Sequence, residues 1–220
     1  MGSDEQELAL FPLNVVLFPG MALPLHVFEE RYKLMLARCL ERGEPFGVVL
    51  IREGFEVGEP AEPYAVGTEA EIRRVEHLPE GRLNLVVVGG RRFRCLEHLQ
   101  VRPYRFARVA WLPEDPGEDT AVATLAAEVR AMADEYIDMA YALANQRRRG
   151  IQLDEDPRVL SYQVGALLQI AAHERQALLE ESGLGPRLRA ELALLRRELR
   201  MLQLSLVRRD LYSTGRFSQN

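Results

Sequence analysis

Three prolines in an otherwise apolar run, Pro12, Pro19 and Pro24 between Leu10 and Phe28, leave the chain that carries them few conformations. A proline inside a helix removes a backbone donor and its ring clashes with the preceding turn, so no helix passes through a stretch punctuated this closely. The run is extended. Pro19-Gly20 at its middle has the composition of a tight turn, with proline fixing φ at the second position and glycine supplying a positive φ at the third. This predicts two apolar strands folding back on each other. Strands of such composition need cover, and a helix beginning at Glu29 is the nearest element to supply it.

With 220 residues and 47% hydrophobic side chains the chain can bury a substantial core in one large domain or two small ones. The net charge of −5 is modest, and acids and arginines are interspersed along both halves. That balance argues against a basic nucleic-acid module. Cys39 and Cys95 stand alone, without the paired spacing of a zinc or redox site, and read as small apolar residues in a reducing compartment. The acidic start, Met1 to Glu7, lacks the features of a signal peptide, and no run reaches the ~20 apolar residues of a membrane span. A soluble, cytoplasmic protein without membrane contact is expected.

Along the chain, Tyr32, Met35, Leu36, Cys39 and Leu40 share one face of a helix over Glu29 to Arg42, with Gly43 as its stop. Phe46 to Ile51 is a buried strand, and Arg52 to Pro63 a loop rich in glycine and proline. The alternation after Thr68 slips phase at Val75, which predicts a bulge. Pro79-Glu80-Gly81 turns the chain into Leu83 to Val88; Gly89-Gly90 breaks that strand before another over Arg91 to Leu99, and a last one runs from Tyr104 to Trp111. The prolines, glycine and acids of Leu112 to Glu118 mark a boundary, giving a β-rich part over 1–116 and a helical part over 117–220. In the latter, apolar periodicity places helices from Val122 to Arg149, stopped by Gly150; from Asp156-Pro157 onward; around Glu174 to Glu181; and from Leu188 to Leu206.

Catalytic signatures are missing. Lys33 is the only lysine, and its neighbours Tyr32 and Leu34 do not make a phosphate-binding loop. No serine stands in a hydrolase elbow, and His26, His77, His98 and His173 never pair at metal-ligand spacing. Neither cofactor nor metal is expected. Arg91, Arg92 and Arg94, with Arg102, Arg105 and Arg108, could offer phosphates a surface, but strand alternation splits them between faces, and a solvated, ion-paired face explains them better. The leucines from Leu188 to Leu206 could pair two chains, but three neighbouring helices need the same surface. An enzyme assembled from His26, Glu29 and Glu30 has only their proximity in its favour.

Pro-Leu, the apolar run, Phe18-Pro19-Gly20-Met21 and Leu23-Pro24-Leu25 before a helix resemble the opening of the amino-terminal, substrate-binding domain of the Lon protease family. Tyr64 to Thr68, the turn at Pro79 to Gly81, and Gly89 to Arg94 are similar to later strands of that domain in the same order, and Asp156-Pro157 to Leu206 resembles its helical half. The resemblance implies an α+β fold: a β-rich, pseudouridine-synthase-like (PUA-like) unit with one helix, followed by a carboxyl-terminal helical bundle. It also implies a stand-alone protein without ATPase or protease domains, which recognises unfolded or damaged polypeptides, or a protein partner, without catalysis and as an adaptor in quality control. RNA binding by the PUA-like unit is the alternative. Where prolines leave backbone groups unpaired, an edge can accept an extended apolar peptide, which selects Phe11, Phe18, Met21, His26 and Phe28 as the polypeptide-binding candidates.

Overall fold

The computed structural model describes residues 5–57, 61–100, 103–114 and 120–215. The architecture is α+β, as expected. By packing, the chain divides into two units, one made of Met1–Asp115 with Gly165–Ser182, the other of Pro116–Val164 with Gly183–Asn220. The boundary stretch read from the sequence falls partly on residues 115–119, which lie outside the described residues.

In the first unit six strands, β1 (Glu5–Leu13), β2 (Ala22–Val27), β3 (Phe46–Glu53), β4 (Glu62–His77), β5 (Leu83–Gln100) and β6 (Arg105–Trp111), form one mixed sheet. The strand order is β2-β5-β4-β3-β1-β6, and β5 also pairs with β6, which closes the sheet on itself and leaves β2 outside the closure. The helix α1 (Glu30–Arg42) buries Tyr32, Met35, Leu36 and Cys39 and ends on Gly43 in the left-handed conformation, while Leu40, expected on the same face, is 40% exposed. Its buried face joins Phe11, Phe46 and Val87 in one apolar cluster.

The turn at Pro19-Gly20 forms as read: Met21 N–H donates to Phe18 C=O at 3.0 Å and Gly20 has φ of +76°. The strands on either side do not pair, however. β1 lies parallel to β3 and antiparallel to β6, whereas β2 is antiparallel to β5. The intervening Val16, Leu17 and Phe18 are buried without being strand, and Thr68 Oγ1 holds the carbonyl of Leu17 at 2.6 Å. The run is thus a crossing between two parts of the sheet rather than a hairpin.

β4 carries the predicted irregularity, with register shifts against β5 between Thr68 and Ala70 and between Ile72 and Arg74. The expected break at Gly89-Gly90 is absent, since β5 runs through both. These glycines serve close approach: a β-carbon on Gly89 would lie 2.2 Å from the Phe18 carbonyl oxygen, which no substituted residue could accommodate.

The helix α4 (Ala172–Glu180) belongs to this first unit and packs on β4, where Gln176 Nε2 donates to Val66 C=O at 3.0 Å. In the second unit α2 (Thr120–Leu143) packs against α5 (Leu184–Gly215), which buries Leu188, Leu192, Leu195 and Leu199 along one seam. α2 stops earlier than its apolar periodicity suggests. Asn145 takes a positive φ of 54°, and Arg148 folds back to Asp134 at 2.6 Å and Asp138 at 3.2 Å, so the arginine run lies alongside the helix instead of extending it. Pro157 opens α3 (Pro157–Leu167) in the first helical position, as its type prefers.

Candidate functional site

A groove of about 270 Å³ lies beside β2, with the end of β1, the start of α1 and the loop Gly54–Val57 around it. Its floor is aromatic. Phe11 stacks on Tyr32 with ring centroids 4.0 Å apart and touches Phe46 at 6.0 Å. Burial raises the Tyr32 hydroxyl pKa to about 12, so the floor is uncharged across the neutral range. The lip is apolar and open: Phe28 is 49% and Val57 56% exposed, and Phe55, near Val57 in the loop, is 82% exposed.

Polar contacts fix this lip. Glu56 accepts from the backbone and side-chain amides of Asn14, at 3.2 and 2.9 Å, which ties the loop to the end of β1. Arg31 bridges the same loop to α1, donating to Glu56 C=O at 3.1 Å while paired with Glu29 at 2.9 Å. Glu29 and Glu56 are the only charged side chains lining the groove among the described residues.

His26 also lines a second depression of about 380 Å³, where Arg74, Glu76 and Asn84 join Pro24, Leu25, Leu85 and Val86. It lies in a cross-strand row with Asn84 on β5 and Glu76 on β4. Asn84 Nδ2 donates to Glu76 at 3.2 Å, so its oxygen faces His26 Nδ1 at 2.8 Å, and the imidazole carries its proton there. The Phe28 ring lies 6.0 Å from that of His26.

Of the five residues selected from the sequence, the groove brings together Phe11, His26 and Phe28. Phe11, 5% exposed, contributes floor rather than open surface. Met21 is half-buried against the core. Phe18 is 1% exposed and offers no surface; its ring fills the space over Gly165, where a β-carbon would come within 2.8 Å. Turn prolines free backbone groups, but they do not decide which side chain faces out. Among the groove residues not anticipated, Tyr32, Glu56 and Val57 come from a helix face and a loop that only tertiary packing brings to β2.

Most of the other constellations resolve into structural contacts, while Arg94 is exposed. Arg92 is fully buried, which overturns its placement on a solvated face. Its guanidinium donates to the carbonyls of Leu179 at 2.8 Å, Glu181 at 3.0 Å and Pro113 at 3.2 Å, and to Glu114 at 3.1 Å, satisfying acceptors at the end of α4. Arg91 lies over Trp111 at 3.7 Å and pairs with Glu69, Arg105 donates to Ala61 C=O, and Arg108 pairs with Glu97 at 3.1 Å. Arg102 lies outside the described residues. Around His26, Glu29 is engaged by Arg31 and Glu30 by Lys33 at 2.8 Å, and no serine, threonine or cysteine lines the groove among the described residues. Among the described residues, no helix is long and apolar enough to cross a membrane.

Residues 7–197 match the family model of the ATP-dependent protease La (LON) substrate-binding domain. Similar curated proteins include a Lon protease of Paraburkholderia phytofirmans, 31% identical over 205 residues that are 91% of this chain and 25% of that protein. Lon protease 2 of Myxococcus xanthus is 32% identical over 204 residues, covering 91% of this chain and 24% of its own length. The chain therefore spans about a quarter of the curated relatives it matches. Among solved structures, a Lon N-terminal domain protein from Xanthomonas campestris superposes with a TM-score of 0.63 at 29% identity, over 86% of this chain and 98% of that one. The N-terminal domain of a Mycobacterium avium complex Lon protease shares the fold, with a TM-score of 0.62 at 18% identity, over 87% of this chain and 98% of that one. With the match running from β1 into α5, this chain belongs to the Lon substrate-binding domain family.

Proposed function

We propose that the chain recognises unfolded or damaged polypeptides of the cytoplasm without catalysis, as an adaptor in protein quality control, and that the groove beside β2 is where they bind. The observation that carries this reading is the aromatic floor of Phe11 and Tyr32 beneath an exposed apolar lip of Phe28 and Val57. Solvent-facing aromatic and aliphatic surface beside a concave, uncharged floor fits apolar side chains that a folded protein hides. Family membership supports polypeptide recognition in general. The burial of Arg92 takes the middle arginine of the cluster away from a phosphate track and weighs against the RNA alternative.

The test is a pair of titrations, one with a labelled, permanently unfolded polypeptide and one with a mixed-sequence RNA, at about 50 and 200 mM salt, where phosphate binding falls steeply. Polypeptide binding should change little with salt and weaken by about 1 to 2 kcal/mol in Phe28→Ser, whose ring is half exposed and whose loss leaves the core untouched. Salt-sensitive RNA binding without polypeptide binding would overturn the proposal.

A further inference from the structure

β2 is hydrogen-bonded along one side only among the described residues, to β5. Which of its backbone groups face outward follows from the register. Gly89 N–H donates to Met21 C=O at 2.9 Å, while Gly89 C=O accepts from Gly20 N–H at 2.8 Å, and the first of these bonds sets the bonded phase of the ladder at Met21 and Gly89. In an antiparallel ladder such pairs recur every second residue, so Leu23 with Val87, Leu25 with Leu85 and Val27 with Leu83 are bonded as well. Ala22, Pro24 and His26 fall between them, and their backbone groups point away from β5. Pro24 occupies the one kind of strand position where a missing N–H costs no ladder bond. All three are exposed, whereas Leu23 and Val27 are buried.

The open edge runs between the two depressions, and Pro24, Leu25 and His26 line both. On one side lies the apolar groove of Phe11 and Phe28, and on the other the polar row of His26, Asn84 and Glu76 with Arg74. The carboxylates Glu29 and Glu56 are the charged groups of the apolar groove; Glu29 is neutralised by Arg31, while the Glu56 carboxylate is held by the neutral amides of Asn14.

We propose that a polypeptide binds here as an added β-strand along the free edge of β2: an extended segment of alternating apolar and polar residues carrying a lysine or arginine. The N–H groups of Ala22 and His26 and the carbonyls of Ala22, Pro24 and His26 bond its backbone, and its side chains alternate between the apolar groove and the polar row. Its cationic residue faces Glu56. Recognition of this kind reads backbone extension and alternation rather than a fixed sequence, which suits clients that share only the lack of a fold. The inference rests on the groove being the polypeptide site.

The probe is a short peptide alternating leucine and phenylalanine with serine and ending in lysine. His26→Pro removes an outward N–H and places a ring on the open edge without touching the β2–β5 ladder; His26→Ala removes the imidazole alone. Both variants lose the imidazole, so its share of binding cancels between them, and affinity should be about tenfold or more lower in His26→Pro than in His26→Ala. Bound peptide should slow amide exchange at Ala22 and His26 about tenfold or more, with Leu23 and Leu25 unchanged because they are bonded already. A folded His26→Pro that binds like the parent, while Phe28→Ser binds weakly, would overturn strand addition and leave the groove standing. Absence of peptide binding to the parent protein would overturn both. If His26→Pro does not fold, two peptides methylated on complementary alternate amides decide the matter with the parent protein. Affinities differing tenfold between them support a single bonded edge, and equal affinities overturn it.

Discussion

Removing the guanidinium of Arg92 should unfold more of this protein than any surface reading of that residue would suggest. Arg92→Met keeps the aliphatic stem and deletes the charge, leaving the carbonyls of Leu179, Glu181 and Pro113 without the donor that now reaches them. A buried polar group stripped of its partner costs about 1 to 3 kcal/mol, but acceptors at a helix end recover part of that from water as α4 frays. Glu114 is 38% exposed and regains solvent readily. The net loss should therefore be about 3 to 5 kcal/mol, a shift of roughly 10 °C or more for a unit of this size. Urea denaturation followed by Trp111 fluorescence, with amide exchange in α4 as a second readout, measures both the loss and its origin. Arg92→Lys should fall between parent and Met variant, because one ammonium cannot reach four acceptors spread around a planar fork. A Met variant within about 1 kcal/mol of the parent would refute the view that this arginine fastens α4 to the sheet.

Gly20→Val places a branched side chain at φ of +76° with no atom within 4 Å of its β-carbon, so only backbone strain acts and the loss should be about 1 to 2 kcal/mol. An unchanged melting temperature would show that the turn tolerates any residue. In the helical unit Glu191 is buried beside Ser161, whose hydroxyl donates to it at 2.6 Å, and desolvation raises its pKa from 4.5 to about 8 despite that bond and Arg187. A raised acid binds its proton more tightly in the folded state, so its contribution is whole below about pH 4.5 and drains away by about 1.4 kcal/mol per pH unit up to about pH 8. Glu191→Gln should flatten that part of the pH–stability profile, and identical slopes for variant and parent would contradict a neutral Glu191.

The elements legible in the sequence are those decided by their own residues. The turn at Pro19-Gly20, the cap at Gly43, the start at Pro157 and the seam of Leu188 to Leu199 each follow from backbone preference or apolar period. What escaped depends on partners far along the chain. Nothing within Leu10 to Phe28 says that β1 pairs with β3 and β6 while β2 pairs with β5, so local sequence alone favours a hairpin of two strands about a turn. Gly89-Gly90 looks like a break because glycine marks both flexible joints and crowded crossings, and only the position of Phe18 distinguishes them. Arg92 alternates with apolar neighbours like any surface arginine; its burial depends on carbonyls that arrive from residues 179 and 181. The candidate groove divides the same way. Phe11, His26 and Phe28 come from the stretch that the prolines single out, whereas Glu56 and Val57 sit in a loop with no pattern of its own.

The most direct test of polypeptide recognition at the groove is site-specific photo-crosslinking. A photoreactive side chain replaces Val57, on the lip and 56% exposed, or Leu34, 57% exposed on α1 and outside the groove. Incubated with an unfolded polypeptide and irradiated, the protein labelled at position 57 should capture it, and capture should fall when Phe28 is replaced by serine. The protein labelled at position 34 should capture little. Equal capture from both positions, or capture from position 34 alone, would contradict a binding site beside β2.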